Sequence, residues 1–318
     1  MVAPAELAIV IVTWNVRDLA LACLRSVFDD AAASDLALRC VVVDNASSDG
    51  TASAIRREFP QAKLIEPGGN LGFARGNNAG IMALGEADNS DFPRYVLCLN
   101  PDTVVRQGAL RKLIKAMEES EAGLAGARLV YGDGSFQHSA FAFPGLAQLT
   151  IDLFPTPARI QESWINGRYP RRLYEGARPF KVDHPLGATF MVRREVIQQV
   201  GLFDEQFHLY CEEIDWAMRI RRAGWRTVCV PAAEVVHYGG QSTTQVKPQS
   251  ALNLWTARLA LYRKHYRPIK QRIAEIIVRA GMRRLIRETQ LNESLDDASR
   301  GDLIDAYDRV IRLTRASS

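Results

Sequence analysis

The chain has 318 residues, 47% of them hydrophobic, with 40 Lys and Arg against 36 Asp and Glu for a formal net charge of +4. That is the composition of an ordinary globular protein, sized for one large domain or a domain with an appendage. No apolar run is long enough to span a bilayer, the first residues lack the basic start of a secretory leader, and five scattered cysteines with no CxxC pair point to reduced thiols in a cytoplasmic protein rather than a disulfide framework.

Residues 7–13 (LAIVIVT) are a β-rich apolar run, and 19–28 have helical apolar spacing. Residues 39–44 (RCVVVD) read as a second buried strand. Asp49-Gly50-Thr51 opens a helix that closes near Phe59-Pro60, and 63–66 form a short third strand. A helix over 76–84 precedes a strand over 95–99, which stops at Asn100-Pro101-Asp102. A helix over 107–120 and a strand over 124–131 follow. Apolar strands alternating with helices argue for a parallel α/β sheet that takes its ligands at the strands' carboxyl ends. Residues 132–181, rich in Pro, Phe and Arg, read as an irregular insertion over the sheet. Order returns after His184, with a helix over 212–223 and a strand over 226–230.

From about residue 250 the pattern is helical, with Pro268 dividing two segments and a third helix over 302–315. Between Thr256 and Arg287 ten basic residues face the single acid Glu275, and Ile269, Ile273, Ile276 and Ala280 recur at helical spacing. A basic amphipathic helix suits a membrane surface. A hairpin packed on the rest of the chain with an Arg-rich solvated face, or a dimer contact, are the other readings.

Four clusters carry possible chemistry. In VVVDNASSDG (41–50) a strand ends in Asp44 before a helix start, which suits a nucleobase or ribose and, beyond it, anionic groups. As plain capping, Ser48 or Asp49 would satisfy the first N–H groups of that helix. GGNLGFARGNNAG (68–80) lets the backbone approach a ligand, although the GxGxxG spacing of a dinucleotide fingerprint after the first strand is absent. In NPD, Asp102 is either a turn residue or one ligand of a Mg²⁺ or Mn²⁺ ion that bridges to substrate phosphates, with His237 of EVVHYGGQST as a second ligand. In LYCEEIDW, Glu212, Glu213 and Asp215 favour a helix N-terminus, yet among Tyr210 and Trp216 one of them is suited to be a general base.

Taken together, IVTWN, VVVDNASSDGT, GGNLGFARGNN, LCLNPDTVV, GATFMVRREV, VGLFDEQFHLYCEEIDWAMRIRRAGW and VVHYGGQST resemble glycosyltransferase family 2, inverting enzymes of the GT-A fold, and most resemble its bacterial rhamnosyltransferase-type members. The resemblance implies a nucleotide-binding α/β domain over 1–245, with 132–181 as its insertion, and a basic helical region over 246–318. It implies a nucleotide-sugar site at Thr13, Asn15, Asp44, Asn45, Asn70, Gly72, Asn77, Asn78, Asn100 and Asp102, with Asp44 on the base and Asp102 as the last acid of a DxD-type motif. His237 would complete the metal site, and Glu213 stands where the family usually has the Asp of an ED pair, the base. Asn100 in place of the first acid and Glu213 in place of Asp are departures, and Glu212 or Asp215 are the alternative bases. Tyr210 and Trp216 would stack on the acceptor.

The implied reaction moves a sugar from dTDP-rhamnose or a UDP-sugar to a hydroxyl of a glycan or lipid-linked acceptor, at the inner face of the bacterial plasma membrane, with Mn²⁺ or Mg²⁺. A sugar-1-phosphate nucleotidylyltransferase would need a basic, Gly-rich phosphate loop where VTWNVRD stands. A catalytically inactive nucleotide-sugar binder would tolerate both departures. The basic residues lie in no nucleic-acid-binding motif.

Overall fold

The computed structural model of the chain describes residues 5–85, 89–239 and 247–315. In chain order the elements begin with β1 (Leu7–Thr13), α1 (Arg17–Ala33), β2 (Leu38–Asp44), α2 (Thr51–Glu58), β3 (Lys63–Ile65), α3 (Gly72–Met82) and β4 (Tyr95–Leu99). They continue with β5 (Thr103–Val105), α4 (Ala109–Ser120), β6 (Ala122–Val130), β7 (Phe136–Gln137), β8 (Ala140–Phe141), α5 (Leu146–Leu153), α6 (Ala158–Gln161) and α7 (Arg172–Glu175). Then come β9 (Phe180–Lys181), β10 (His184–Pro185), β11 (Thr189–Arg193), α8 (Arg194–Val200), α9 (Glu212–Arg222) and β12 (Arg226–His237). Three helices close the chain: α10 (Lys247–His265), α11 (Pro268–Gln290) and α12 (Asp297–Leu313).

The described residues form two compact units, one of 5–143, 169–206 and 212–239, the other of 144–168, 207–211 and 247–315. The stretch 132–181, expected as one insertion, is shared between them. The expected boundary at 245–246 lies outside the described residues.

The first unit is built on a sheet of order β3-β2-β1-β4-β11-β6-β12-β5. Strands β3, β2, β1 and β4 are parallel, as expected. The sheet as a whole is mixed, which corrects the all-parallel expectation: β11 runs antiparallel between β4 and β6. An apolar run shows that a strand is buried on both faces and carries no information on its direction. Alternation along β1 divides the core into two layers. Leu7, Ile9 and Ile11 pack with Leu24 and Val27 of α1 and Leu110, Leu113 and Met117 of α4. Ala8 and Val10 pack with Ala74 and Ile81 of α3 and Trp216 and Ile220 of α9.

Helix α3 starts at Gly72, four residues ahead of the expected start, because Asn70 Oδ1 accepts the Gly72 N–H at 2.9 Å. Its later glycines face β1 rather than a ligand. A Cβ on Gly76 would stand 2.8 Å from Val12 Cγ1, and one on Gly80 would collide with Val10.

The second unit has its own core, in which Leu149 and Leu153 of α5 pack with Leu252, Trp255 and Leu259 of α10, Val278 and Met282 of α11, and Val310 of α12. Leu153 sits over Gly281, where a Cβ would lie 2.7 Å from Leu153 Cδ2. Helix α12 begins five residues ahead of the expected start, because Asp296 accepts the Ser299 N–H at 2.8 Å as its N-cap. The face of α11 that the core takes is Ala274, Val278 and Met282; the stripe Ile269, Ile273, Ile276 and Ala280 is exposed.

Candidate active site

Thr13, Asp44 and His237 are the last residues of β1, β2 and β12, and Asn100 directly follows β4. Thr13 and Asp44 are register partners. NPD is a turn, and it is also more than one. It reverses the chain into β5, whose Thr103 pairs antiparallel with His237. Tyr238 then donates its N–H to the Asp102 carbonyl at 2.9 Å. The reversal sets the two buried side chains together, His237 Nε2 lying 3.5 Å from Asp102 Oδ1.

The amide oxygen of Gln137 lies 3.2 Å from His237 Nδ1. An amide oxygen only accepts, so Nδ1 donates its proton there and Nε2 is the ring atom turned toward the carboxylate. An imidazole nitrogen and a carboxylate at that separation can take a cation between them once Nε2 is unprotonated, and the hydrogen bond behind the ring is the usual outer support of a ligating histidine. The carboxylate suits Mn²⁺ or Mg²⁺, and of the two an imidazole ligand is better accepted by Mn²⁺ than by the harder Mg²⁺. Among the described residues no group of three or more His, Cys, Asp and Glu is gathered. The protein would therefore hold the ion by Asp102 and His237 and leave its other positions to phosphate oxygens and water. Nearby chemistry is also left open: Asn100 Oδ1 and Thr13 Oγ1 are buried without a hydrogen-bond partner.

Around the ends of β1 and β2 the loops form one connected layer. Asp44 accepts from the Ser47 hydroxyl and, at 3.2 Å, from the Ser47 N–H. Asn15, in the left-handed region at φ 51°, donates its N–H to Ser47 Oγ at 2.9 Å and accepts the Ser48 N–H at 2.8 Å. Asn45 reaches the Gly-rich loop, donating to the Gly72 carbonyl at 3.1 Å. Asn77 and Asn78 stand apart from this layer. Asn77 donates to the Phe73 carbonyl of its own helix, and Asn78 accepts the Phe203 N–H while donating to the Phe203 carbonyl. Both are buried and serve packing.

Helix α9 sorts the acidic cluster. At about 100° per residue, Asp215 points to the side of the helix opposite Glu213. Asp215 is fully buried and paired with Arg219 at 2.8 Å, and Arg219 also donates to the carbonyls of Val200 and Leu202. It is a brace, which corrects its candidacy as a base. Trp216 is also corrected. It has no exposed surface, lies between Phe190 and Phe203 with ring centroids 5.4 and 4.2 Å away, and spends its N–H on the Gly201 carbonyl, so no acceptor sugar reaches its face. Tyr210 belongs to the second unit and is half-buried, with φ 71°.

Glu213 lies against Gly187, where a Cβ would come within 3.6 Å of its Cγ. The next residue, Ala188, accepts the Asn100 N–H at 3.0 Å. One dipeptide therefore links the acid of α9 to the NPD turn. The Oε2 atoms of both Glu212 and Glu213 are buried without a partner. Burial pushes the Glu213 carboxyl up, against the backbone N–H groups of Glu213 and Ile214. Burial and then repulsion from Glu213 push the Glu212 carboxyl well up too. A carboxyl held this way takes a proton readily near neutral pH.

Gln137 and Gly187 escaped the sequence reading as site residues. Gln137 stands in a stretch without periodicity, while Gly187 was visible as the glycine before a strand.

A sheet whose strand ends gather a buried carboxylate, an imidazole and a hydrogen-bonded Asp/Asn layer, beside a raised-pKa acid, defines the GT-A fold of glycosyltransferases. Residues 8–201 match the family described as Glycosyl transferase family 2, and the chain belongs to that family. It is 33% identical over 216 residues to the N-acetylglucosaminyl-diphospho-decaprenol L-rhamnosyltransferase of Mycobacterium tuberculosis, covering 66% of this chain and 70% of that protein. It is 28% identical over 174 residues to rhamnosyltransferase WbbL of Escherichia coli K12, covering 54% and 62%. Among solved structures it resembles the mannosyltransferase PcManGT from Pyrobaculum calidifontis in complex with GDP-Man and Mn²⁺, with a TM-score of 0.57, 16% identity, and 98% of this chain and 87% of that one covered. GalNAc-T7 with UDP, GalNAc and Mn²⁺ gives a TM-score of 0.55 at 15% identity, over 74% of this chain and 43% of that one. These two likenesses are of fold.

Proposed function

We propose that the protein transfers a sugar, with inversion, from a nucleoside-diphosphate donor to a hydroxyl of a glycan or lipid-linked saccharide in bacterial cell-surface polysaccharide synthesis, at the inner face of the plasma membrane. The rhamnosyltransferase relatives, together with a dTDP-rhamnosyl transferase of Shigella flexneri that the chain also resembles, favour dTDP-rhamnose over a UDP-hexose as donor. The observation that carries the reading is the pair Asp102 and His237, a buried carboxylate and a buried imidazole 3.5 Å apart at the carboxyl edge of the sheet.

Asp44, held by Ser47, and the neighbouring Asn15–Asn45 layer would take the base and ribose. Asn100, with its free Oδ1, and Thr13 would orient the donor through groups that otherwise lack partners. Asp102 and His237 would hold a divalent cation, which supplies charge neutralisation on the leaving nucleoside diphosphate. Glu213 would take the proton from the acceptor hydroxyl as it attacks the anomeric carbon from the face opposite the leaving group. No covalent intermediate is required. Two buried carboxyls this close would not both ionise readily, so the pair would hold one proton while Glu213, against Gly187, faces the strand-end site.

Thermal shift with UDP, dTDP, GDP and CMP, each with and without Mn²⁺, tests the reading on wild type and Asp102→Ala. Binding at a hundredfold excess over Kd raises stability by about 2.7 kcal/mol. A Mn²⁺-dependent shift with one pyrimidine diphosphate, lost in the variant, supports it; no shift with any nucleotide sinks it.

A further inference from the structure

The helical unit leaves one surface that its own core does not use. On α11, residues 269, 273, 276 and 280 fall within about 60° of one another at 100° per residue. Ile269 is 75% exposed, Ile276 61% and Ile273 40%, and Ala280 is exposed with them. The stripe is about 16 Å long at 1.5 Å per residue. A run of β-branched apolar side chains facing water marks a contact surface more often than chance exposure does.

The charges around the stripe say what the contact is. Four basic side chains of α10 and α11 are occupied inside the unit: Arg258 by Asp152 at 2.6 Å, Arg263 by Glu275 at 3.1 Å, Arg284 by Glu288 at 2.6 Å, and Lys270 over the Tyr266 ring at 3.5 Å. Arg267, Arg272, Arg283 and Arg287 are exposed and pair with no carboxylate among the described residues. On the helix Arg272, Arg283 and Arg287 flank or continue the isoleucine stripe, while Arg267 precedes the helix as its N-cap, and no acid shares that face. The acids of α11 are Glu275, buried with Arg263, and Glu288, paired with Arg284. A second copy docking through the same stripe would set arginines against arginines across a two-fold axis. An anionic lipid surface meets both demands at once, taking the isoleucines into the headgroup boundary and the guanidinia onto phosphates.

We propose that this face of α11 binds anionic phospholipid bilayers, with the helix lying in the plane of the surface. No helix among the described residues is long and apolar enough to cross a membrane, so the attachment would be peripheral and reversible. A lipid-linked acceptor gives such attachment its purpose, and to that extent the assignment rests on the transferase reading.

The test is co-sedimentation of the full chain with large vesicles of phosphatidylcholine alone or mixed with phosphatidylglycerol. Wild type is compared with Ile269→Ser/Ile273→Ser/Ile276→Ser and with Arg272→Gln/Arg283→Gln/Arg287→Gln, and light scattering reports the oligomeric state without lipid. Wild type should bind only the anionic vesicles, more weakly as salt rises, and each triple variant should bind roughly tenfold or more weakly. Both variants should keep the wild-type melting temperature and nucleotide shift, because the altered side chains lie outside the helical core and the strand-end site. Failure of wild type to bind, or binding by either variant as tight as wild type, overturns the proposal. A wild-type dimer that the isoleucine variant splits assigns the face to a second copy and overturns it as well. The nucleotide shift is read independently, so failure of the transferase reading shows itself there and not in the vesicle assay.

Discussion

His237 Nε2 lies 3.5 Å from Asp102 Oδ1 although 135 positions separate them in the chain, because Thr103 and His237 are register partners. Removing either ligand, as in Asp102→Asn or His237→Ala, should abolish the Mn²⁺-dependent part of nucleotide binding and leave the metal-free part. Calorimetric titration of the nucleoside diphosphate with and without Mn²⁺ separates the two.

Gln137 acts one step behind that pair, fixing the tautomer of His237 through its 3.2 Å hydrogen bond. Gln137→Ala should weaken Mn²⁺ binding about 10–100-fold without removing a ligand. Gln137→Glu, which keeps an acceptor oxygen, should restore most of it. A merely structural role for Gln137 would make both variants equally harmful to folding and neither specific to the metal.

Glu213→Gln should lower kcat by about 10²–10⁴-fold with donor affinity unchanged. The wild-type rate should rise with pH until the Glu213 carboxyl, pushed up to about 7, has ionised, and then level off. Rate profiles of the two proteins with saturating donor decide the matter.

The same burial has an opposite effect on stability. A carboxyl whose pKa is raised on folding binds more protons in the folded state, so its contribution is full at acidic pH and declines as pH rises above the ordinary carboxylate range. Glu212→Gln should therefore raise the melting temperature more at about pH 8 than at about pH 4. Equal gains at both would show that folding does not raise the Glu212 carboxyl above its ordinary range.

Trp216→Ala should cost about 3–5 kcal/mol in urea unfolding, as for an emptied aromatic core site. Gly80→Ala should cost about 1–3 kcal/mol by driving a methyl into Val10. Adding Val10→Ala should return part of the Gly80→Ala loss, since the two side chains then share one space.

Much of this was legible beforehand, and for a physical reason. Apolar strands such as 7–13 and 95–99 are bounded by polar residues whose own hydrogen bonds end them, so their limits showed in composition. Direction and long-range pairing did not: nothing local to 189–193 says that it runs against β4. Helix starts were missed where a side chain outside the periodic run takes up a leading N–H, as Asn70 does in the turn into α3 and Asp296 does as the N-cap of α12. Trp216 and Asp215 were misjudged because residues beside the proposed base look alike in sequence, whereas a helix turns them to different sides.

The helical unit is assembled from stretches that lie far apart in the chain, with Leu149 and Leu153 of α5 filling the core that α10, α11 and α12 enclose. A stop codon ahead of α10 would not yield a trimmed protein. It would leave an orphaned apolar helix in the middle of the remaining polypeptide, and with it a target for proteases and chaperones. The tail cannot be lost or exchanged by simple end-joining of genes; a replacement must bring along a matching α5. What is separate in space is inherited as one piece.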